Sequence, residues 1–498
     1  MSRWVSAVVR RLPSRISHRR WLTVDARLLP FADAASAELP LGRLLRLSLF
    51  QVAVGMATAL IVGTLNRVLI VELGVAAWLV SAMVALPILA APLRALIGFR
   101  SDNHRSVLGW RRVPYLWLGT ILQFGGLAIM PFALMVLAES HAGLLDVPEW
   151  FGQIAAALAF LLMGAGLQTV QTAGLALATD LAPEDTRPRV VALLYVMLLV
   201  GLVGSGVAFG FLLADFTPTR LIQVVQGAAV ITVLLNLVAL WKQEARDPSR
   251  TRGQTADRPD FRASWRSFVA LPGARRFLAA TGLGTLAFNM QDIILEPYGG
   301  EILRLGVGAT SQLTGLTAIG ALAAFALAAR ILARGIDPIR VSATGLVAGL
   351  PAFALVICAA PLDSPLLFRI GAMLIGFGSG LFAVGTLTAA MGMETPERVG
   401  LALGAWGAMQ ATAAGVAVAA GGAIRDIVSA LAAHGGLGGA AAADRAIGYS
   451  VVYHLELYLL FAALIAIGPL VRSARRRPLA QASSSRTTEP FGLAEFPG

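Results

Sequence analysis

The chain has 498 residues, of which 57% are hydrophobic and only 14% charged, and its mean hydropathy is +0.74. A soluble domain carries about 25% charged residues, so this composition excludes a water-soluble fold and, equally, disorder; lipid is the solvent for most of the chain. The net charge of +12 is almost entirely arginine, because Lys242 is the only lysine. Flanked by Trp241 and Gln243, Lys242 cannot close a GxxxxGK[ST] phosphate loop, which excludes an ATPase of that type. The only cysteine, Cys358, rules out an intrachain disulfide and a CxxC site. It lies in an apolar run and reads as a small buried hydrophobe.

From the N-terminus, residues 1–43 form a basic segment with no short apolar core and small-residue cleavage site, so a cleaved signal peptide is not expected. Val5, Val8, Val9, Leu12 and Ile16 share one helical face among arginines, the pattern of an interfacial helix. Pro13 interrupts it and leaves a basic tail as an equal alternative. Twelve windows then meet the requirement of about 20 mostly apolar residues for a membrane helix. They are 45–66, 76–98, 113–138, 151–177, 190–213, 219–241, 277–297, 310–332, 338–360, 366–391, 400–424 and 448–470. The pattern predicts an all-α membrane protein: a six-helix half over 44–241, a linker at 242–275, a second six-helix half over 276–471 and a tail at 472–498. Placing both termini in the cytoplasm puts 34 of the 40 Lys and Arg on that side, a strong positive-inside asymmetry. The same asymmetry accounts for the high isoelectric point without nucleic acid.

The halves echo each other. Ala182-Pro183-Glu184-Asp185 precedes the fifth span and Thr395-Pro396-Glu397-Arg398 the eleventh, 213 residues apart. Six spans plus six with a parallel repeat is the plan of the major facilitator superfamily. The segment after the second span, Gly98-Phe99-Arg100-Ser101-Asp102 and then Gly109-Trp110-Arg111-Arg112, resembles that superfamily's loop motif with about four extra residues inserted. A carboxylate there can meet the positive N-terminal end of another helix, which makes Asp102, Arg111 and Arg112 candidates for a cytoplasmic latch.

Polar groups inside spans are costly and mark function or interhelical bonding. The seventh span carries the densest set, Asn289, Gln291, Asp292 and Glu296. In a continuous helix Asn289, Asp292 and Glu296 share a face. The fourth span offers Gln168 and Thr172, again one face, and the first offers Gln51 and Asn66, with Arg67 and Glu72 beyond as a solvated pair at the outer boundary. These residues are candidates for a polar cavity wall. Gly376-Phe377-Gly378-Ser379-Gly380 and Gly206 with Gly210 read as close helix contacts. No GxSxG, HExxH or Cys/His pair occurs, so no hydrolytic, metal or nucleotide site is expected.

Longer stretches carry a more specific likeness: Leu28-Leu29-Pro30-Phe31-Ala32-Asp33-Ala34, Gly63-Thr64-Leu65-Asn66-Arg67-Val68, Arg94-Ala95-Leu96-Ile97-Gly98, Trp110-Arg111-Arg112-Val113-Pro114-Tyr115, Met290-Gln291-Asp292-Ile293-Ile294-Leu295-Glu296-Pro297-Tyr298-Gly299-Gly300 and Tyr453-His454-Leu455-Glu456. Together, over about residues 28–472, the chain resembles the PucC/LhaA family of purple phototrophic bacteria. The resemblance implies the major facilitator fold and a location in the photosynthetic inner membrane. It implies a non-enzymatic role in assembling light-harvesting complexes, leaning to the core-antenna type. Its implied partners are antenna polypeptides, bacteriochlorophyll or its late biosynthetic enzymes, and membrane lipid, with bacteriochlorophyll a transient cofactor. His454 is the only histidine in a predicted span. An imidazole ligates many metals, so His454 is the candidate ligand for a pigment magnesium. The alternative reading is a secondary transporter of a small organic solute by alternating access.

Overall fold

The computed structural model describes residues 34–36, 39–89, 110–141, 148–183, 186–244, 273–392, 396–434 and 444–475. Asp102, Pro92, Glu184, Asp185, the segment 1–33, most of the 242–275 linker and the tail from 476 lie outside the described residues. The described chain is helical: α1 (Leu41–Glu72), α2 (Ala77–Leu89), α3 (Val113–His141), α4 (Glu149–Leu181), α5 (Arg187–Leu212), α6 (Pro218–Leu240), α7 (Ala274–Glu301), α8 (Val307–Ala333), α9 (Pro338–Ala359), α10 (Pro365–Met391), α11 (Pro396–Ala433) and α12 (Ile447–Arg475). Eleven of these are long and apolar enough to cross a membrane, and α2 is described over 13 residues of its predicted span.

The helices begin where the sequence supplies caps. Thr217, Asp337 and Ser364 each accept a backbone N–H of the first turn of α6, α9 and α10, and proline follows each of them. The side-chain oxygen satisfies one orphan donor, and the proline needs none at that position. Such caps matter more in lipid, where water does not take the leftover groups.

The packing repeats with a period of six helices. α1 packs on α5 and α6, and α7 on α11 and α12; α3 packs on α4 and α6, and α9 on α10 and α12. The halves then meet through α5 against α8 and α2 against α11, again equivalent pairs. Hydrocarbon offers no hydrophobic drive between helices, so such contacts rely on close backbone approach. Between α8 and α10 a Cβ at Gly320 would lie 1.9 Å from the Met373 carbonyl oxygen, and one at Gly376 1.9 Å from that of Thr317. A Cβ at Gly206 would lie 2.6 Å from the Gly315 backbone nitrogen across α5 and α8. The glycine stretches therefore are packing surfaces, as their spacing suggests.

Two expectations fail here. α7 is not one continuous helix: it runs from Ala274 to Asn289, tightens into a 3₁₀ turn at Met290–Asp292, and resumes as Leu295–Glu301. The i, i+4 argument joining Asp292 and Glu296 therefore does not apply. Cys358 is exposed rather than buried, because it falls on the outward face of α9; an apolar run does not say which side faces protein and which faces lipid.

Gly376→Val is expected to lower the thermal unfolding midpoint and the monodisperse fraction in detergent, since overpacking costs about 1–3 kcal/mol. Gly227→Val on α6, where nothing lies within 4 Å, leaves both unchanged. Equal behaviour of the two variants would refute close packing at α8–α10.

Candidate functional site

The polar residues of α1, α4, α7 and α11 sort into a cavity between the halves, a seam that closes one end, and a cluster at the other end. The cavity has a volume of about 580 Å³. Thr58, Ile61 and Val62 of α1, Pro87 of α2, Phe160 and Gln168 of α4, Tyr195 of α5, Asn289 of α7, and Trp406 and Gln410 of α11 line it. Most of its wall is apolar. α1 widens into π-helical turns at Ala59–Leu65, beside the cavity. From Asn289, the side-chain amide donates to the Thr285 carbonyl at 2.7 Å, while the Gln168 Oε1 is buried and unbonded. The Trp406 indole N–H donates to the Thr386 hydroxyl at 3.1 Å. By helix register the cavity spans the middle of the bundle and the half toward Arg112.

Toward Arg67 the halves are joined. The Thr64 and Ser311 hydroxyls are 3.0 Å apart. The Asn66 amide donates to Val62 O and, across the halves, to Asp292 O at 3.2 Å. Arg67 pairs with Glu72 and donates to Leu305 O at 3.2 Å. Glu296 accepts from the Thr314 hydroxyl at 2.6 Å, and Gly63 leaves it room, since a Cβ there would lie 2.5 Å from its Oε1. The Trp78 N–H donates to Asp426 at 2.8 Å. The α7 break is held from α12, where Glu456 accepts the Gln291 N–H at 2.6 Å. The Gln291 amide also bonds Asp292.

The candidate wall therefore divides. Asn289 and Gln168 line the cavity; Asn66, Gln291, Asp292 and Glu296 belong to the seam or the α7 break. Thr172 donates to the Gln168 carbonyl within α4. Gln51 is fully buried with both amide atoms unbonded and does not line the cavity. Arg67 is buried at 4% exposure, which corrects the solvated pair: the α7–α8 connection folds over it and leaves only Glu72 half-open. Sequence reasoning missed Trp406, Gln410 and Tyr195. The first two lie four residues apart on α11, a spacing that places them on one face but does not say that this face lines a cavity.

At the far end, Arg112 pairs with Asp180 at 2.9 Å, and Arg111 lies 4.0 Å from the same carboxylate. The Glu244 carboxylate accepts the backbone N–H groups of Arg111, Arg112 and Val113 at 2.7, 3.1 and 3.0 Å. A carboxylate does meet a helix N-terminus here, but it comes from beyond α6 and meets α3. These bonds tie α3 to α4 and α6 within one half. His454 is exposed on α12, with Nδ1 2.7 Å from the Ser450 carbonyl oxygen.

Residues 64–475 match the family described as "PUCC protein". The chain is 57% identical over 419 residues to "Protein PucC" of Rhodovulum sulfidophilum, covering 83% of this chain and 92% of that protein. It is 52% identical over 470 residues to an "Uncharacterized protein in puhA-bchM intergenic region" of Rhodobacter capsulatus, covering 94% and 97%. It is 29% identical over 460 residues to the "Bacteriochlorophyll synthase 44.5 kDa chain" of the same species, covering 88% and 98%. Among solved structures, a bacterial homologue of the lysosomal transporter Spinster, inward-facing and unoccupied, aligns with a TM-score of 0.64 at 13% identity, covering 87% of this chain and 97% of that one. A bacterial homologue of ferroportin, inward-facing, aligns at 0.59 and 17% identity, covering 86% and 98%. These likenesses show the major facilitator fold.

Arg67→Met removes a buried cation and leaves the Leu305 carbonyl and the half-open Glu72 without the hydrogen bonds it donates. In a Cys358→Ala background, a cysteine placed at Val68, which is 1% exposed, is expected to react slowly with a polar maleimide in the parent and faster in Arg67→Met. Equal rates would show that Arg67 does not hold that end shut.

Proposed function

The chain belongs to the PucC family, and from that premise we propose that this multi-pass inner-membrane protein is a non-enzymatic assembly factor for light-harvesting antenna complexes, acting by holding bacteriochlorophyll for antenna polypeptides. Family membership over most of the chain carries the assembly role. A relative named as a bacteriochlorophyll synthase chain points to the pigment or its late biosynthetic enzymes as partners.

The cavity suits such a cargo. Its wall is mostly apolar, with a few polar groups such as Gln168, Asn289 and Gln410, the usual make-up of a site for a large, mainly apolar ligand. His454 fits the pigment chemically. A carbonyl oxygen only accepts, so the Ser450 contact takes a proton on Nδ1, and a neutral ring bonded in this way would have its Nε2 lone pair free. Hydrogen bonding of the second ring nitrogen to a carbonyl is the usual support of a metal-ligating imidazole. Bacteriochlorophyll, when bound, would supply a magnesium ion that an imidazole nitrogen can ligate, and His454 would be the residue to hold it. The chain's own part would be to present the imidazole from the exposed face of α12, a place separate from the cavity, whose lining includes no α12 residue.

The transporter reading retains one observation in its favour: the cavity lies between the halves and is closed at one end by cross-half bonds. Pigment handling and solute transport separate experimentally.

Protein purified in mild detergent from pigment-making cells is expected to show a stoichiometric near-infrared band, reduced in His454→Leu with the folded yield unchanged. Cells lacking the protein lose antenna absorbance while solute-dependent growth is normal. An unchanged band in the variant would remove His454 from pigment binding; solute uptake into proteoliposomes together with normal antenna would overturn the assembly role.

A further inference from the structure

A second pocket lies away from the cavity, where α1 begins, α3 begins and α6 ends. It has a volume of about 660 Å³ and is lined by Arg43, Arg46, Trp110, Lys242, Gln243 and Glu244. Three cations thus face one carboxylate. Glu244 is already committed to the three backbone amides that open α3. Arg43 is braced by Gln243: its Nε donates to Gln243 Oε1 at 3.0 Å and its Nη2 to Gln243 O, while Gln243 Nε2 donates back to Arg43 O at 3.2 Å.

The other two cations have no such engagement. The Nε of Arg46 is buried without a hydrogen-bond partner. Lys242 is exposed, and no salt bridge or hydrogen bond is formed by its ammonium among the described residues. It is held at φ 53°, a left-handed conformation that a residue with a side chain adopts at a cost and that concentrates at functional sites. The turn it makes carries Gln243 beneath Arg43. Trp241, 58% exposed at the end of α6, and Trp110 flank the site, the aromatic signature of the membrane–water boundary. A cationic pocket among helix ends at that depth meets the phosphate of a lipid before it meets any soluble anion.

We propose that Arg46 and Lys242, with Arg43 positioned by Gln243, form a binding site for the phosphate of an anionic phospholipid at this boundary. The site is independent of the cavity and of the assembly role. Arg46 takes the phosphate from the helix side and Lys242 from the open side. The tryptophans pack along the glycerol and upper acyl carbons. Bound lipid would join α1, α3 and α6 at this end of the bundle, adding to the Glu244 and Arg43–Gln243 bonds.

The test uses the full chain in detergent, with bound lipid counted by native mass spectrometry as phosphatidylglycerol or phosphatidylcholine of the same acyl chains is titrated. The expected result is one retained phosphatidylglycerol and no comparable phosphatidylcholine. A basic side chain near a lipid surface contributes about a fivefold change in affinity. Arg46→Gln and Lys242→Gln are therefore each expected to weaken retention about fivefold, whereas the charge-preserving Arg46→Lys and Lys242→Arg keep most of it. Arg220→Gln, exposed at the opposite end of the bundle, is the control and keeps parental retention. Size-exclusion profiles matching the parent separate loss of binding from loss of fold. Equal binding of the two lipids, or parental retention in both neutral variants, would overturn the proposal. Displacement of phosphatidylglycerol by inorganic phosphate would overturn the lipid assignment in favour of a free anion.

Discussion

Hydrocarbon supplies no hydrogen-bond partner, so the interruption of α7 at Met290–Asp292 stands only because other helices take the groups it releases. Glu456 reaches from α12 to the Gln291 N–H, and Asn66 reaches from α1 to the Asp292 carbonyl. Once these are in place, the short helix from Leu295 is set against α8, where Glu296 meets the Thr314 hydroxyl. Thr64 and Ser311 then approach each other beside it. One backbone break is thereby shared among α1, α7, α8 and α12, and it draws the two halves together at one end.

Closing one end leaves the space on the other side of the break. Asn289, the last residue before the interruption, turns its amide back to Thr285 and faces the cavity; Gln291, two residues later, is packed against α12. A shift of two positions along α7 separates a cavity wall from an interhelical joint. The individual bonds are modest, about 0.6 kcal/mol each on average in membranes, so the closed end depends on several acting together with the ion pair between buried Arg67 and half-open Glu72. The opposite end is organised differently. Glu244 and Asp180 fasten α3 within one half and make no cross-half bond among the described residues.

The surface that faces lipid is not uniform either. His454 is exposed on α12 while Glu456, two residues along, is fully buried, because two residues are about 200° of helix. Tyr453 and Tyr449 turn inward to Tyr298. The buried side of α12 thus fixes the α7 break, and its outer side carries the one imidazole that the sequence places inside a span.

The apolar windows and the repeated Pro-Glu pairs determined the all-helical, two-half architecture without coordinates. Helix length in lipid is set by bilayer thickness, and thickness is legible in a run of letters. The same reading identified which polar residues had to matter, since an Asn, Asp or Glu in a span needs a partner. It could not say which partner. Asn66 and Asp292 are 226 residues apart, and periodicity along one helix carries no information about the helix opposite. The α7 break left no proline or glycine at Met290–Asp292 to announce it. Cys358 and Arg67 changed sides for the same reason: only the packed bundle decides whether a given face meets protein, lipid or the cavity. Trp406 and Gln410 became cavity residues through that packing alone.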